Sequence, residues 1–572
     1  MLMTIKEILK KEIGKAISCY ESADSAAEAA ASNQPEHGDY SSNIAMVLAK
    51  NLKKKPSEIA EEIKKELLNS AGVQKRIEKI EIAPPGFLNF FLKKEILTAI
   101  LKDILKKKDK FGQSKKQKKT IVIEYSSPNI AKPLGAHHLR STVIGQALVN
   151  ILRFAGYRTI SLSFPGDWGT QFGILIAAYK KWGDREKLKK DPINEMLDLY
   201  VRFSKAAKEN PELKEEGRRE FKKLEEGDGK NLKLWKWFLG ESMKEFERVY
   251  KMLGIKIEHT IGESFYEPKL KGVIEDAFKK GVAQKNEDGS VIIRFKDSPP
   301  ELIQKSDGSS IYTTRELAAI KHRMKHWKAD KIIYVADNGQ SFHLEQVFRA
   351  ADLLRYAEMS NLFHVKFGVM LGQDGKKFAT REGKLIPLEK VLKEAIDRAR
   401  KIVEELNQKL SKKEKDKISR VVGVGAVKFA DLRQNRVSDI IFDWDKMLNL
   451  KGNSAPYIQY TYARIKSILR KAKKSPKNFD LNFLRGENEF AILRHLIHFP
   501  EIITSAAERF LPNIIAEYIL RLCEKLNVFY ETTPVLKAEK SERMVRLALI
   551  SAGAIVIKNS CALLGIETPG RM

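Results

Sequence analysis

Cysteine and long apolar runs are both scarce in this chain of 572 residues. Three cysteines, Cys19, Cys523 and Cys561, lie far apart and outside any Cys-x-x-Cys pair, which argues against a disulfide framework and a structural zinc site. No apolar run approaches the roughly 20 residues that cross a bilayer, and the first residues read as an amphipathic helix rather than a signal peptide. We therefore expect a cytoplasmic protein with no membrane partner.

Negative charge is also in short supply. Lys and Arg total 104 against 74 Asp and Glu, which gives a formal charge of +30 spread along the chain. Clustered positive charge favours a polyanionic partner such as RNA or DNA, because binding releases counterions from the phosphates. The alternative is a lysine-rich chain in which Lys only solvates helix faces. Apolar residues make up 43% and no low-complexity tract occurs, so we expect two to four folded domains.

The amino-terminal unit is predicted to span residues 1–112 as an α+β domain. Helical spacing occurs around 3–19 and 56–70, and "IEKIEIAPPGFLNFFL" alternates like a strand interrupted by Pro84, Pro85 and Gly86. The basic stretch 107–120 has the composition of a linker. A domain boundary near 115 follows.

Residues 118–385 are predicted to form an α/β domain of Rossmann type. "TIVIEYSS", "LRSTVIGQALVNILRFAG" and "RTISLSF" read as strand, helix and strand, and the alternation resumes at 331–337 and 364–371. A mainly helical, highly charged insertion is expected at about 178–290. Beyond 385 strand signals nearly vanish, so 386–572 is predicted to be all helical.

The stretch "KPLGAHHLRST", residues 132–142, lies between the first predicted strand of this domain and the helix that follows it. Ligands of parallel sheets bind beyond the carboxyl ends of the strands, where helix N-termini direct N–H groups at phosphates. His137 and His138 would therefore face a nucleotide. On position alone the evidence is weak, because a single histidine at a turn is more often a surface group than a ligand.

The surrounding residues resemble the class I aminoacyl-tRNA synthetases, and specifically the arginyl-tRNA synthetases. The resemblance covers almost the whole chain in the family's order. It is carried by "SSPNIAKPLGAHHLRSTVIGQAL", "GDWGTQFG", "KSDGSSIYTTRELAAIKHR", "YVADNGQSFHLEQ", "MLGQDGKKFATREG" and "KGNSAPYIQYTYARI", with "EHGDYSSNIAMVLAK" and "PGFLNFF" near the start and "LLGIETPGRM" at the end.

The resemblance implies an ATP site built from two motifs. The family's HIGH tetrapeptide corresponds here to Gly135, Ala136, His137 and His138, in which the first His and the Gly have exchanged places. The KMSKS motif corresponds to Lys377, Phe378, Ala379, Thr380 and Arg381 and lacks the second lysine. In such members a lysine just before HIGH is expected to supply the missing charge, here Lys132. The implied catalytic residues are therefore His137, His138, Lys132 and Lys377, although the "DGKK" spacing around Lys377 is also typical of a solvated turn.

The resemblance also implies an arginine site. Family positions that bind arginine map onto Glu124, Asn129, Glu263, Tyr312, Glu316 and Gln340. Asn129 and Gln340 would hold the amino and carboxyl groups, and Tyr312 and Glu316 would close over the guanidinium. The family generally has Asp where this chain has Glu316, and because Tyr312 and Glu316 are four residues apart they share one helical face. Without the resemblance these residues would be interpreted as solvated helix charges.

The tRNA is expected to be recognised far from this site. Anticodon contacts would come from a bundle at about 440–572, where aromatic side chains can stack on unpaired bases. The implied residues there are Tyr457, Tyr460, Tyr530 and Met572, with Tyr462 nearby, although aromatic residues at helical spacing often pack inward. Phe87 and Asn89 in the amino-terminal unit would meet the tRNA elbow.

The resemblance predicts a monomeric enzyme that joins L-arginine to tRNA(Arg) with ATP, with Mg²⁺ accompanying the ATP and no metal held by protein alone. One rival hypothesis keeps the fold but loses the chemistry, since the rearranged GAHH turn could leave an RNA-binding relative that no longer activates arginine. A second rival hypothesis is a class I synthetase for another amino acid such as cysteine. Such an enzyme would require a zinc-binding Cys/His set, which this sequence lacks.

Overall fold

The computed structural model describes residues 4–18, 20, 28–31, 35–376, 378, 386–473, 476 and 478–572. Its amino-terminal unit is an antiparallel sheet covered by helices, as the sequence predicts. Its elements are α1 (Ile5–Ala16), β1 (Ala30–Ala31), β2 (Tyr40–Ser42), α2 (Ile44–Leu52), α3 (Pro56–Asn69), α4 (Ala71–Gln74), β3 (Ile77–Ala83), β4 (Phe87–Leu92) and α5 (Lys94–Lys107). The strand order is β1-β2-β4-β3. The interrupted run at 84–86 is the turn of the β3–β4 hairpin, where Gly86 has a φ of +154° and a Cβ would lie 2.8 Å from Pro56.

A parallel sheet forms the centre of the next unit. Its order is β12-β11-β5-β6-β7, and every neighbouring pair is parallel. The segments that build and flank it are β5 (Thr120–Glu124), α6 (His138–Phe154), β6 (Arg158–Ser163), α7 (Thr170–Trp182), α8 (Arg185–Lys190), α9 (Pro192–Glu209), α10 (Pro211–Glu225), α11 (Gly229–Leu253), β7 (His259–Thr260) and α12 (Glu267–Lys279). The Rossmann-type prediction is confirmed.

The second half of this unit first forms a small antiparallel sheet and then contributes two more strands to the parallel sheet. Its elements are β8 (Ala283–Lys285), β9 (Val291–Ile293), β10 (Glu301–Gln304), α13 (Tyr312–Trp327), β11 (Lys331–Tyr334), α14 (Ser341–Leu353), β12 (Leu362–His364) and β13 (Met370–Leu371). Strands β8, β9 and β10 pair only with one another among the described residues.

Two details differ from the expectation. The range 178–290 is mainly helical, as expected, but it begins inside α7, contains the edge strand β7 of the main sheet and ends between β8 and β9. The predicted strand at 364–371 is wrong, since β12 ends at His364 and residues 370–371 pair with a strand of the next unit instead. Short apolar runs do not reveal where one strand ends and another begins.

The carboxyl-terminal third is helical, as predicted. Its elements are α15 (Leu388–Leu406), α16 (Lys412–Leu432), β14 (Ile440–Ile441), α17 (Trp444–Met447), α18 (Ala455–Ala472), α19 (Glu487–Ile497), α20 (Phe499–Arg509), α21 (Asn513–Thr532) and α22 (Lys540–Leu563). Helix α22 is long and apolar enough to cross a membrane by length and composition, but 72% of its most apolar window is buried inside the bundle.

A buried ion pair joins the helical bundle to the unit that contains the parallel sheet. Arg140, in the first turn of α6, donates from Nε to Oδ2 of Asp431 in α16 at 3.0 Å, and both side chains are only 1% exposed. Its other N–H groups donate to the carbonyls of Gly368, Ser438 and Arg436. Because breaking a buried pair leaves an uncompensated charge, this contact fixes α6 against the segment that precedes residue 377.

Candidate active site

The GAHH turn lies beyond the carboxyl end of β5 and leads directly into α6, which begins at His138. Its backbone is paired with the start of the bundle, because Ala136 N–H donates to the carbonyl of Ile386 at 2.8 Å and Leu388 N–H donates to the carbonyl of Leu134 at 2.8 Å. Gly135 and Pro387 form an antiparallel bridge between these hydrogen bonds. The turn is thereby held rigidly, and the first N–H groups of α6 donate within it, from His138 to the carbonyl of Gly135 and from Leu139 to that of Ala136.

The two histidines differ in environment. Nδ1 of His138 accepts a hydrogen bond from Gly135 N–H at 3.1 Å. Burial, followed by the charge of His137, lowers the pKa of His138 to about 3. A neutral imidazole that accepts at Nδ1 carries its proton on Nε2, so His138 offers one N–H donor. His137 is exposed and its ring lies 3.8 Å from that of His138, centroid to centroid.

Three carboxyl groups converge at the carboxyl end of β5. Glu124 ends β5, Glu316 lies in the second turn of α13, and Glu263 precedes α12. Glu316 is 1% exposed, and burial followed by the charge of Glu124 raises its pKa to about 8. Burial likewise raises the pKa of Glu263 to about 7, although Arg315 lies 3.9 Å from its Oε2. The charges of Glu124 and Glu263 both reach Glu316, so the three predicted acids share one site.

Glu124 differs from the other two because it already has a partner. Its Oε2 lies 2.6 Å from Nη1 of Arg323, whose side chain is 0% exposed. Glu124 therefore already faces a cation of the protein itself, and its contact with arginine stays a prediction. Oε2 of Glu316 is buried, has no hydrogen-bond partner among the described residues and has no comparable ion pair there.

The polar residues predicted to hold the rest of the amino acid lie on three different segments. Tyr312 begins α13 within hydrogen-bonding reach of Glu316, and its ring lies 4.9 Å from that of His343. Asn129 pairs with Gly166 in a parallel bridge, and a Cβ on Gly166 would lie 2.1 Å from Oδ1 of Asn129, so glycine is required there. Gln340 is exposed just before α14.

The predicted phosphate-binding residues are only partly described. Lys132 places its Nζ 5.2 Å from the ring centroid of Tyr200 in α9, rather than against the histidines. Phe378 stacks on Phe442 at 4.4 Å and its N–H donates to the carbonyl of Met370. The remaining KMSKS-like positions lie outside the described residues: Lys377, Ala379, Thr380 and Arg381.

Family models match three consecutive parts of the chain. Residues 3–92 match the arginyl tRNA synthetase N-terminal domain, residues 100–444 match the catalytic domain of the class I tRNA synthetases for arginine, and residues 458–572 match the DALR anticodon binding domain. The middle model alone covers more than half of the 572 residues. The chain belongs to the arginyl-tRNA synthetase family.

Curated relatives and solved structures agree with this assignment. The arginine–tRNA ligases of Halothermothrix orenii and Clostridium perfringens are each 40% identical over 94% of this chain and cover 94% and 95% of their own lengths. The crystal structure of Plasmodium falciparum arginyl-tRNA synthetase superposes with a TM-score of 0.84 at 27% identity, over 99% of this chain and 98% of that one. This synthetase is therefore an enzyme of the arginine–tRNA ligase class.

The residues predicted to meet tRNA are not equally accessible in this synthetase. Tyr530 is 45% exposed and Phe87 is 36% exposed, so both can contact a partner. Asn89 is 3% exposed and its Oδ1 accepts from Ser41 at 2.8 Å, so its contact with tRNA stays a prediction. Tyr462 is 8% exposed and packs in the core. The half-buried residues are Tyr457, Tyr460 and Met572.

The anticodon-binding bundle contains a stack that the sequence did not reveal. The Arg464 guanidinium lies 4.8 Å from the ring of Tyr460 and 4.6 Å from that of Tyr530, and it donates to Asn527 at 3.2 Å. Cation–π contacts of this kind hold aromatic rings in place. Two of the tyrosines predicted to contact tRNA therefore form one platform, although they are 70 residues apart.

Sequence reasoning also missed Arg140 and Arg323. Both lie within the stretches that carry the family resemblance, "LRST" and "KHR". Neither position gives a local signal, because the partners of both, Asp431 and Glu124, are about 200 residues or more away. The sequence signal that could have found both residues is a basic residue on the buried face of an apolar helix, since Arg is almost never buried unless paired.

Proposed function

We propose that the site beside the GAHH turn binds L-arginine and ATP, forms arginyl-adenylate, and transfers the arginyl group to the terminal adenosine of tRNA(Arg). The observation that carries this proposal is the carboxyl oxygen Oε2 of Glu316, which is buried and has no hydrogen-bond partner among the described residues. A guanidinium is a planar cation with five donors and matches such an acceptor.

The arginine subsite is assigned to the residues that converge there. Glu316, Tyr312 and Glu263 are the candidates for the guanidinium end. Asn129 and Gln340 are the candidates for the amino and carboxyl groups, which places the reactive carboxylate toward the GAHH turn. Glu124 supports the subsite through its ion pair with Arg323.

The ATP subsite is assigned to the turn and the loop that faces it. Gly135, Ala136, His137 and His138 would receive the nucleotide, with the α-phosphate near Nε2 of His138. Positive charge for the β- and γ-phosphates would come from Lys132 and Lys377. The KMSKS-like residues Phe378, Ala379, Thr380 and Arg381 would line the same side.

Mg²⁺ would reach the site on ATP rather than in a protein cage. Asp337 is the carboxylate whose charge reaches His137, and its Oδ1 already accepts from Gly339 N–H at 2.9 Å. One engaged carboxylate is a small donor set, and Mg²⁺ commonly binds through substrate phosphates and water. The ion would neutralise phosphate charge when bound.

The proposed chemistry needs position and electrostatics more than proton transfer. The arginine carboxylate attacks the α-phosphorus, pyrophosphate leaves, and negative charge develops on the α-phosphate oxygens. The Nε2–H group of the His138 ring stabilises that charge. The tRNA 2′-hydroxyl then attacks the adenylate carbonyl and AMP leaves. Holding the two reactants in line accounts for much of the rate in such reactions.

The domain assignment follows from the same resemblance. We propose that residues 1–112 meet the tRNA elbow, that 118–385 carry catalysis, and that about 440–572 bind the anticodon. The +30 charge supports a polyanionic substrate. We also propose that the enzyme is monomeric and cytoplasmic.

Pyrophosphate exchange tests the proposed activity. The full-length protein with ATP, tRNA(Arg) and L-arginine should exchange labelled pyrophosphate into ATP, and exchange should be lost when arginine is replaced by cysteine or another amino acid. Exchange with a different amino acid would contradict the arginine assignment. No exchange with any amino acid would favour the rival in which the rearranged turn leaves only an RNA-binding relative.

Replacing Tyr530 with alanine should weaken tRNA recognition. Stacking of a base on an aromatic ring contributes about 1–3 kcal/mol, so the KM for tRNA(Arg) should rise roughly tenfold while the KM values for ATP and arginine stay unchanged. Tyr530→Phe is the matched control, because it keeps the ring over Arg464. Equal KM values for tRNA in wild type and Tyr530→Ala would remove Tyr530 from the anticodon site.

A further inference from the structure

One arginine of the protein itself lies inside the pocket proposed for substrate arginine. Arg323 is 0% exposed, with Nη1 at 2.6 Å from Oε2 of Glu124 and donating to the Tyr334 hydroxyl at 3.0 Å. Its guanidinium lies over two rings, 5.3 Å from the centroid of Phe164 and 5.4 Å from that of Tyr334. Contacts from β5, from β11 and from the end of β6 therefore fix this cation in one position.

The pocket around Arg323 is incompletely paired. Nε and Nη2 of Arg323 and the Oε2 atoms of Glu316 and Glu124 are buried without hydrogen-bond partners among the residues that the structure describes, although Oε2 of Glu124 is in ion-pair contact with Arg323. Buried polar atoms are paired in the great majority of cases, and each exception needs an explanation. Unpaired donors and unpaired acceptors in one pocket indicate a pocket that is completed by what it binds.

We propose that Arg323 is a positioning residue that sets the charge of the substrate pocket, holding Glu124 in a fixed ion pair so that Glu316 is the carboxylate left for the substrate guanidinium. This inference rests on the proposed function. Glu263 lies 3.9 Å from Arg315, and the other two acids, Glu124 and Glu316, face the single cation Arg323, so one negative charge remains for one incoming cation. Without Arg323, two buried carboxylates would share a single guanidinium, and one of them would take up a proton.

Because Arg323 and Glu124 carry opposite charges, removing one or the other should shift the pKa of Glu316 in opposite directions. A bound guanidinium requires ionised Glu316, so arginine affinity follows the protonation of that group. Loss of Arg323 removes a nearby positive charge and favours protonated Glu316, whereas loss of Glu124 removes a negative charge and favours the ionised form. The groups that face Glu316 from the surrounding elements are Glu124 from β5, Glu263 and Tyr266 before α12, Tyr334 from β11, and Tyr312 and Arg323 from its own helix.

Binding of L-arginine to the full-length protein, measured by calorimetry in two buffers across about pH 6 to 9.5, tests the proposal. Wild type, Arg323→Met, Glu124→Gln and the double variant are compared for the pH at which proton release on binding is half complete. We expect this midpoint to rise by at least ~1 pH unit in Arg323→Met and to fall by about 1 unit in Glu124→Gln. In the double variant it should return close to the wild-type value.

Affinity provides the second readout. At about pH 7.5 the Kd for arginine should rise at least ~10-fold in Arg323→Met, because a one-unit rise in the Glu316 pKa costs that factor. The Kd should also rise in Glu124→Gln, since the released Arg323 would then pair with Glu316. ATP binding, measured in parallel, should stay within about twofold in every folded variant.

The outcomes separate this inference from the proposed function. Unmoved midpoints in both single variants would overturn the role of Arg323 while leaving arginine binding intact. If Arg323→Met does not fold, Glu124→Gln and the double variant decide, and an unmoved or raised midpoint in Glu124→Gln overturns the proposal. Absence of arginine binding to wild type at every pH overturns the proposed function and this inference with it.

Discussion

Replacing His138 with alanine is expected to slow arginyl-adenylate formation at least ~10²-fold, the usual cost of removing one donor from a developing anion. The expectation depends on which ring nitrogen of His138 carries the proton. Because Gly135 N–H donates to Nδ1 at 3.1 Å, the neutral ring carries its proton on Nε2 and directs it away from that backbone contact. The measurement is tRNA-dependent pyrophosphate exchange at saturating arginine and ATP. Full exchange activity in His138→Ala would show that GAHH does not act as a HIGH motif.

The pH dependence of the same step gives a second check on His138. Burial lowers its pKa to about 3, so the ring stays neutral across the physiological range. A histidine with a lowered pKa becomes positively charged only below that pKa. Protonation of His138 should therefore cause no loss of exchange activity between about pH 5 and 8. A loss of activity with a midpoint near the ordinary histidine pKa, absent in His138→Gln, would contradict this assignment.

His137→Gly is the matched variant, because it restores the glycine that the family's motif has at this position. If His137 has taken over from the missing first histidine, its removal should lower turnover, though less than His138→Ala does, since its exposed ring supports the His138 ring at 3.8 Å. Unchanged or higher turnover in His137→Gly would show that His137 is only tolerated there. The two variants together separate the donor from its neighbour.

The sequence predicted the features that depend on local pattern. The parallel strand–helix–strand core at 120–163, the helical last third and the turn in front of α6 all follow from periodicity and turn residues within about 20 positions of one another. The set of acids came from the family resemblance, and the structure brings Glu124, Glu263 and Glu316 within electrostatic reach.

Features that depend on distant partners could not be predicted. The pairing of Glu124 with Arg323 joins residues 199 positions apart, and the stack on Arg464 joins Tyr460 to Tyr530. Edge strand β7 has two residues, both exposed, so no apolar alternation marks it. Asn89 lies in a motif that resembles the family's, yet its burial depends on the contact with Ser41 across the sheet. In each case the missing information is a tertiary contact, which a motif does not encode.

Those contacts change how the acids are interpreted. From the motif alone Glu124 and Glu316 are equivalent candidates for the guanidinium, whereas among the described residues only Glu124 is in an ion pair and Oε2 of Glu316 has no partner. An unpaired buried carboxyl is stable when protonated, which agrees with the raised pKa of Glu316. Binding of arginine should therefore release a proton from Glu316. Replacing Glu316 is accordingly expected to have a large effect.

Replacing Glu316 with glutamine is expected to raise the KM for arginine by roughly 10²-fold or more, while the KM for ATP stays unchanged. Glutamine keeps the shape of the side chain but removes the charge that a buried guanidinium requires, and it places an N–H group against the donors of the substrate. The sign of the pH dependence follows from the raised pKa of about 8. Below that pH Glu316 is protonated, so wild-type affinity for arginine should fall toward tenfold per unit as pH decreases.

The Glu316→Gln variant should lose that pH dependence, because glutamine does not titrate. Glu316→Asp is the matched control, since it keeps the charge with the shorter residue that the family generally has at this position. We expect its KM for arginine to lie much closer to wild type than that of Glu316→Gln, with the pH dependence retained. A KM in Glu316→Gln within about twofold of wild type would remove Glu316 from the arginine site. Exchange kinetics at varied arginine concentration and pH measure all of these quantities in one series.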